Sequence, residues 1–320
     1  STGRIVKYIY NLATLSEMLG KKFEDADKED IKRIVAEIEK RNYSPWTKRD
    51  YKTCIKKFYR WVRGLDEGDP EETKWIKTSI KVNHRKLPED MLTEEDIKKL
   101  INTANHPRDK AFVAVLYESG CRIGELGGLK IKNISFDNYG AKLLVNGKTG
   151  ARRVRIISSV PYLTEWINKH PFKDDPEAYL WISYKKDHKP MNHTSMRTLL
   201  LRLKDKSGVK KPVNPHNFRH SRATYLAQYL TEAQMKEHFG WMQSSKMAAV
   251  YVHLSGRNVD KALLKVYGIK DNGEEKEVSK LVPKKCGRCE EVNEATNKFC
   301  KKCGFPLDEE TKNQIIETEL

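Results

Sequence analysis

The sequence of this chain is organised around the stretch NPHNFRH, residues 214–220, which sets one arginine between two histidines. Two further segments belong with it, namely ESGCRIGEL at residues 118–126 and FGW at residues 239–241. Arginine suits phosphate chemistry because its planar guanidinium donates to two oxygens at once and stays charged. Arg122 and Arg219 are therefore candidates to clamp a phosphate, although either one alone would more often be a surface salt-bridge residue.

The charge of the chain is uneven. The 320 residues carry 61 Lys and Arg against 44 Asp and Glu, a net charge of +17, of which +14 falls on residues 91–268 and −2 on residues 269–320. A basic middle segment favours a polyanion such as DNA as the partner, although a basic surface kept for solubility would look the same. No apolar run approaches the roughly 18 residues of a membrane span, and the start lacks a signal-peptide pattern. We therefore expect a cytoplasmic protein that is associated with DNA and not with a membrane.

The length allows about two domains, and the patterns along the chain divide it further. Helical periodicity dominates residues 1–90, where Asp27 and Ser44 are candidate caps and Gly64 is a plausible helix stop. Short strands follow around Asn146-Gly147, a strong hairpin signal, and helices dominate again from Val160. The predicted divisions are a helical domain at 1–82, a linker at 83–89, a catalytic domain at 90–268, a connector at 269–282, a ribbon at 283–307 and a tail at 308–320.

Four cysteines lie near the end of the chain in the pattern CxxC, ten residues, CxxC. Two thiolates from each pair supply the four ligands that tetrahedral zinc needs, so the spacing predicts a structural zinc ribbon with no open coordination position. Two disulfides or free thiols are the alternative reading, which the paired spacing and a reducing compartment disfavour. The predicted zinc ligands are Cys286, Cys289, Cys300 and Cys303.

The motifs together resemble the tyrosine recombinase family, which includes the phage integrases and the Xer-like proteins. The resemblance covers about residues 5–268, and the segment from Gly240 to Gly268 is similar to archaeal members, some of which carry a terminal zinc ribbon. It implies an all-α core-binding domain, then a mixed α+β catalytic domain with a small antiparallel sheet, then the ribbon. It also implies a clamp of the first two domains around duplex DNA, with strongly salt-dependent phosphate contacts.

By this resemblance Tyr251, ten residues after Trp241, is the nucleophile, with Tyr225, Tyr229 and Tyr267 as rivals. A phenol has a pKa of about 10, so its attack on phosphate needs help from neighbouring cations or a histidine. The family reaction forms a 3′-phosphotyrosyl link and releases a 5′-hydroxyl. The covalent link conserves the bond energy, so the chemistry needs neither ATP nor a metal ion.

The remaining site residues also follow from the family's motifs. Lys148 in the hairpin turn could protonate the leaving 5′-oxygen, with Arg152 and Arg153 as competitors and an ordinary solvated lysine as the alternative. His216 could transfer a proton or orient a phosphate oxygen. Trp241 can donate one indole N–H but cannot shuttle protons. Glu125 should orient the first arginine, or form a plain structural ion pair, and His220 and His253 are expected to serve as helix or DNA contacts.

The predicted function is site-specific DNA recombination through a Holliday junction, with four protomers and two duplexes in the synapse. A type IB-like topoisomerase or resolvase is the enzymatic alternative, and a catalytically silent DNA-binding protein is the other. The ribbon is a candidate surface for an accessory protein. The sequence does not identify the DNA site or distinguish integration from excision or dimer resolution.

Overall fold

The computed structural model describes residues 2–80, 88–185, 187–254, 267 and 279–319 of the chain. Two compact units divide the chain, Ser1–Arg85 and Lys86–Leu320. Most of the predicted linker 83–89, most of the connector 269–282 and residues 255–266 lie outside the described residues. Within the described part, no helix combines the length and the apolar composition that crossing a membrane requires.

The first unit is built on three helices: α1 (Thr2–Leu19), α2 (Lys28–Lys40) and α3 (Pro45–Val62). The two predicted caps are confirmed, because Asp27 accepts a hydrogen bond from the Asp30 amide at 2.9 Å and Ser44 accepts one from the Thr47 amide at 3.1 Å. The apolar faces of the helices meet in one buried cluster. After α3 the described chain continues in turns as far as residue 80, so the helical prediction fails for that stretch.

The second unit packs helices around a small antiparallel sheet. The strands are β1 (Ile134–Asp137), β2 (Gly140–Gly147) and β3 (Gly150–Ile156), in the order β1-β2-β3. Gly147 pairs with Gly150, which makes Lys148 and Thr149 the two-residue turn between β2 and β3. The hairpin is therefore confirmed, but the Asn-Gly pair that signalled it ends the strand β2 and does not form the turn.

The described helices between residues 88 and 254 are, in chain order, α4 (Glu94–Thr103), α5 (Pro107–Ser119), α6 (Ile123–Gly127), α7 (Val160–Asn168), α8 (His193–Ser207), α9 (Pro215–Leu226), α10 (Glu232–Phe239) and α11 (Met247–Leu254). Short 3₁₀ turns lie at Phe23–Asp25, Pro88–Asp90 and Ile131–Asn133. Helix α5 is buried on nearly every face and forms the centre of the main core. A smaller cluster joins α9, α10 and α11 and contains Tyr251.

One buried carboxylate fixes the start of α7. The carboxylate oxygens of Glu118, at the end of α5, accept hydrogen bonds from the backbone amides of Ile157, Ser158 and Ser159 at 2.7–2.9 Å. Those amides lie at the positively polarised beginning of a helix, where a negative charge is favourable. Glu118 therefore fastens α7 to the segment that leads into Arg122.

The C-terminal part contains β4 (Lys284–Lys285), β5 (Val292–Asn293) and α12 (Glu309–Glu319). The strands pair antiparallel. This part contacts α7, because the Tyr162 hydroxyl lies 2.9 Å from the Thr296 hydroxyl and the carboxyl groups of Glu165 and Glu294 share a hydrogen bond. The predicted ribbon is thus packed against the rest of the second unit.

We predict that this contact weakens as the pH rises. Burial, with the adjacent Glu165 carboxyl, raises the pKa of Glu294 to about 7, while Lys110 and Lys301 act in the opposite direction. The native state keeps a proton on Glu294 up to about pH 7, whereas the unfolded chain releases it near pH 4.5. The free energy of unfolding should therefore fall as the pH rises from 4.5 to 7. Glu294→Gln should remove that fall and raise the free energy of unfolding at pH 8 by about 1–3 kcal/mol.

Urea unfolding of the wild type and of Glu294→Gln at pH 5 and pH 8 measures the effect. Glu290→Gln, at an exposed position four residues away, is the matched control and should change little at either pH. An equal pH dependence in the wild type and in Glu294→Gln would contradict the prediction.

Candidate active site

The two predicted clamp arginines lie against the same turn of the chain. Arg219, on α9, is 7% exposed and donates to the carbonyl oxygens of Gly120 at 2.9 Å and of Phe239 at 2.5 Å. Arg122, at the start of α6, directs its guanidinium towards the Gly240 carbonyl at 3.4 Å. The end of α10 therefore brings together two arginines that are 97 residues apart in the sequence.

The charge of this cluster is positive. Burial lowers the pKa of Arg219 to about 10, and the charges of Arg122 and Arg152 act in the same direction while Glu125 opposes them. Arg219 still carries its proton at neutral pH. Its partners are neutral carbonyl groups, so they orient the guanidinium without neutralising it. Such a site attracts an anion with several acceptor oxygens.

Glu125 is held by two arginines from different elements. Its oxygens accept from Arg122 at 2.8 Å and from Arg152 at 3.1 and 2.8 Å, and the Arg122 amide donates to it at 2.9 Å. Burial disfavours the charge of Glu125, but the hydrogen bonds from the arginines outweigh it and lower its pKa to about 2. A Cβ atom at Gly147 would lie 2.4 Å from a Glu125 carboxylate oxygen. Only glycine at position 147 lets the hairpin approach so closely.

Tyr251, on α11, is 5% exposed, and its ring is parallel to that of Trp241 with the centroids 5.6 Å apart. Trp241 in turn stacks on Phe239 at 4.9 Å, and the Arg219 guanidinium lies 5.5 Å from the Trp241 ring. Burial raises the pKa of the Tyr251 phenol to about 12, and the positive charge of Arg219 partly opposes this. The predicted nucleophile therefore lies beside the predicted clamp and needs help to ionise.

The Tyr251 hydroxyl is hydrogen-bonded to Nδ1 of His220. The sequence predicts that His220 is a helix or DNA contact and does not predict this hydrogen bond to Tyr251. His216 lies one turn earlier on α9, with its ring centroid 4.2 Å from that of His220. The spacing of four residues, which places both histidines on one face of a helix, is the sequence signal that could have indicated it.

Lys148 lies in the turn of the hairpin and is exposed. Its two neighbours fix the position of that turn, because Gly147 adjoins Glu125 and the Thr149 hydroxyl donates to the Gly240 carbonyl at 3.2 Å. The side chain of Lys148 is thus attached to a turn that borders the arginine cluster.

The rival tyrosines lie elsewhere. Tyr225 and Tyr229 pack on each other with ring centroids 5.4 Å apart, and the Arg222 guanidinium lies 5.1 Å from the Tyr225 ring. Tyr267 is 77% exposed. Of the four tyrosines considered, Tyr251 is the one that the structure places in the cluster with Trp241 and Arg219.

The four ribbon cysteines converge as the spacing predicts. Their sulfur atoms all lie within 4.8 Å of one another, and the Cys286–Cys303 and Cys289–Cys300 pairs are each 3.6 Å apart. A disulfide would bring two sulfurs to about 2.05 Å, so these are free thiols. The set could hold a metal ion.

The family model described as "Phage integrase family" matches residues 90–257, slightly more than half of the chain. The chain belongs to the tyrosine recombinase (phage integrase) family. Tyrosine recombinase XerA of Pyrococcus furiosus is 27% identical over 240 residues, which cover 73% of this chain and 79% of that protein. XerA of Thermococcus kodakarensis is 30% identical over 200 residues, 61% of this chain and 66% of that one.

Solved structures agree on the fold of this tyrosine recombinase. A XerH recombinase bound to its palindromic difH substrate, in a post-cleavage complex, matches with a TM-score of 0.65 at 18% identity, over 82% of this chain and 80% of that chain. A lambda integrase tetramer bound to a Holliday junction matches with a TM-score of 0.61 at 14% identity, over 81% and 74%. The predicted catalytic fold is thereby confirmed.

Arg152 makes contacts in this recombinase site that the sequence does not predict. The sequence offers it as a competitor of Lys148, and in the structure its guanidinium is bound to Glu125 and donates to the His238 carbonyl at 2.9 Å. The period of two along β3 places it on the same face as the buried Val154 and Ile156. That alternation was a readable signal, since it also leaves Arg153 on the exposed face.

We predict that Arg152→Gln destabilises the protein and Arg153→Gln does not. Loss of Arg152, which is 9% exposed, leaves the buried Glu125 with the half-exposed Arg122 as its remaining arginine partner. Breaking a buried ion pair is costly, and because one partner remains we expect a loss of about 2–4 kcal/mol. Urea unfolding at pH 7 measures it, and equal, small effects of both substitutions would contradict the assignment of Arg152 to the buried network.

Proposed function

We propose that this chain is a site-specific DNA recombinase that cleaves and rejoins DNA through a 3′-phosphotyrosyl intermediate. The observation that carries the proposal is that Tyr251 stacks on Trp241, whose ring lies 5.5 Å from the Arg219 guanidinium, inside the segment that the family model matches. Arg122 is directed towards the carbonyl of Gly240, next to the Phe239 carbonyl that binds Arg219. Residues 1–82 would form the core-binding domain, and residues 90–268 would form the catalytic domain with most of the positive charge.

In the proposed reaction the two arginines hold the non-bridging oxygens of the scissile phosphate. Carbonyl groups at Gly120, Phe239 and Gly240 orient the guanidinium groups beforehand, so little reorganisation is needed when negative charge develops. Glu125 fixes the direction of Arg122 through its carboxylate. Preorganised cations of this kind stabilise the five-coordinate transition state more than the ground state.

Tyr251 attacks the phosphorus, and the bond to the 5′-oxygen breaks. Lys148 protonates the leaving oxygen from the hairpin turn, while Trp241 contributes an N–H donor and packing. His216 orients a phosphate oxygen or takes part in proton transfer. The phosphotyrosyl bond conserves the energy of the phosphodiester, and the 5′-hydroxyl of a partner strand reverses the step.

We predict that Tyr251→Phe abolishes the covalent adduct with a nicked suicide DNA substrate. The phenylalanine ring retains the stack on Trp241 but lacks the oxygen that forms the bond to phosphorus. Denaturing gels measure the adduct, and DNA binding should persist in a gel-shift assay. Tyr225→Phe, which removes the same atom from a tyrosine outside the cluster, should react at the wild-type rate. An adduct that survives Tyr251→Phe would contradict the nucleophile assignment.

The active assembly is proposed to be a tetramer that joins two DNA duplexes through a Holliday junction. The XerH structure on difH and the lambda integrase tetramer on a junction support this proposal. A type IB-like topoisomerase would relax one duplex without exchange, so recombinant products from two marked duplexes separate the two activities. The family membership favours exchange.

We further propose that the ion of the ribbon is zinc. Tetrahedral zinc with Zn–S bonds of about 2.3 Å places its sulfur ligands about 3.8 Å apart, close to the 3.6 Å of the two measured pairs. The amides of the ribbon also direct hydrogen bonds to the sulfurs, as between Arg288 and Cys286 at 3.4 Å. Four protein ligands give the metal a structural role. The outward surface of the ribbon is the proposed site for an accessory protein.

Metal analysis of the purified chain should find about one zinc ion per chain, as one set of four thiolates requires. Cys303→Ser should reduce that content strongly, because serine is a poor ligand for zinc. Cys54→Ser, at a buried cysteine of the first unit, should leave it unchanged. Full zinc content in Cys303→Ser would contradict the assignment.

A further inference from the structure

The contact between His220 and Tyr251 has a chemical consequence. A neutral imidazole nitrogen can accept a proton, and Nδ1 of His220 is hydrogen-bonded to the hydroxyl that must lose one. We infer that His220 is a catalytic residue that accepts the Tyr251 proton as the tyrosine attacks DNA. The inference rests on the proposed function and assigns to His220 a task that the sequence motifs suggested for His216.

The fold holds the two side chains together. His220 follows Arg219 on α9, so the residue that clamps the phosphate and the residue that touches the nucleophile have neighbouring positions on one rigid helix. The cluster that joins α9 to α11 contains the small residues Ala223 and Ala248, which allow the two helices to approach closely. The geometry therefore comes from packed helices and not from a loop.

Two of the described neighbours of the phenol cannot accept its proton. Arg219 is a cation with donors only, and the indole of Trp241 offers an N–H but no acceptor nitrogen. His216 is a second imidazole, but it contacts the ring of His220, which is the residue that is hydrogen-bonded to the phenol. Burial makes the phenol a weaker acid than in water, so an acceptor in direct contact gains importance.

The Tyr251 oxygen forms its bond to phosphorus as its proton passes to Nδ1 of His220, and the bond from phosphorus to the 5′-oxygen breaks as Lys148 supplies a proton to that oxygen. In religation the 5′-hydroxyl attacks, its proton returns to Lys148, and the imidazolium of His220 returns a proton to the departing Tyr251 oxygen. No other reactant is needed.

Two nicked suicide substrates distinguish the proton transfer from Tyr251 from the proton transfer to the leaving 5′-oxygen. One is ordinary DNA, and the other carries sulfur in place of the bridging 5′-oxygen, since a thiolate leaves without protonation. His220→Ala should slow adduct formation about 10²–10³-fold on both substrates. Lys148→Ala should form the adduct slowly on ordinary DNA, and its rate should recover on the sulfur substrate. Gel-shift affinity and the thermal midpoint should stay near wild type in each variant.

His220→Asn distinguishes proton transfer from positioning. Its side-chain amide can occupy the place of Nδ1 and hydrogen-bond to the phenol, but it does not accept a proton near neutral pH. We expect it to remain slow, and we expect added imidazole to restore part of the rate of His220→Ala. His193→Ala, at an exposed histidine on α8, is the matched control and should react normally.

Wild-type rates in His220→Ala or in His220→Asn would overturn the inference, as would recovery of His220→Ala on the sulfur substrate. If the wild type forms no adduct, or if Tyr251→Phe still forms one, the proposed function fails instead. A slow His216→Ala together with a normal His220→Ala would assign the proton to the other histidine and overturn the inference.

Discussion

The site depends on the two ion pairs of the buried Glu125 carboxylate. This carboxylate binds Arg122 at the start of α6 and Arg152 on β3. Arg152 also donates a hydrogen bond to the carbonyl of His238, near the end of α10. Three elements that are distant in sequence are thereby fixed around one negative charge. A buried ion of this kind is favourable only when its hydrogen bonds are complete, and Gly147 provides the space in which they can form.

The end of α10 is the second fixed point. Gly240 has a φ of +59°, which ends the helix in the left-handed region, and its carbonyl receives hydrogen bonds from Arg122 and Thr149. A Cβ atom there would lie 2.7 Å from the Arg152 guanidinium, so a larger residue would disturb both the turn and the network. The end of α10 therefore positions the arginines and the hairpin next to Trp241.

The sequence predicts the parts of this arrangement that depend on local patterns. Helix caps such as Asp27 and the convergence of the four cysteines follow from spacing alone, and family motifs single out Tyr251 and Arg219. The partners of Arg152 cannot be predicted from local patterns, because they lie 27 and 86 positions away along the chain. The site assignments beyond these contacts, including Lys148 and His216, stay predictions until the variants are measured.

The contact with α7 makes the predicted ribbon part of the second compact unit, residues 86–320. Glu118 fastens the start of α7 to the end of α5, two residues before Gly120, whose carbonyl orients Arg219. The same helix carries Tyr162 and Glu165 towards Thr296 and Glu294. Of the net charge of +17, +14 falls on residues 91–268. Arg219 carries part of this charge and donates to carbonyl groups at Gly120, after α5, and Phe239, at the end of α10, so its contacts orient it without neutralising it. The charge of Arg122, in contrast, is paired with the Glu125 carboxylate.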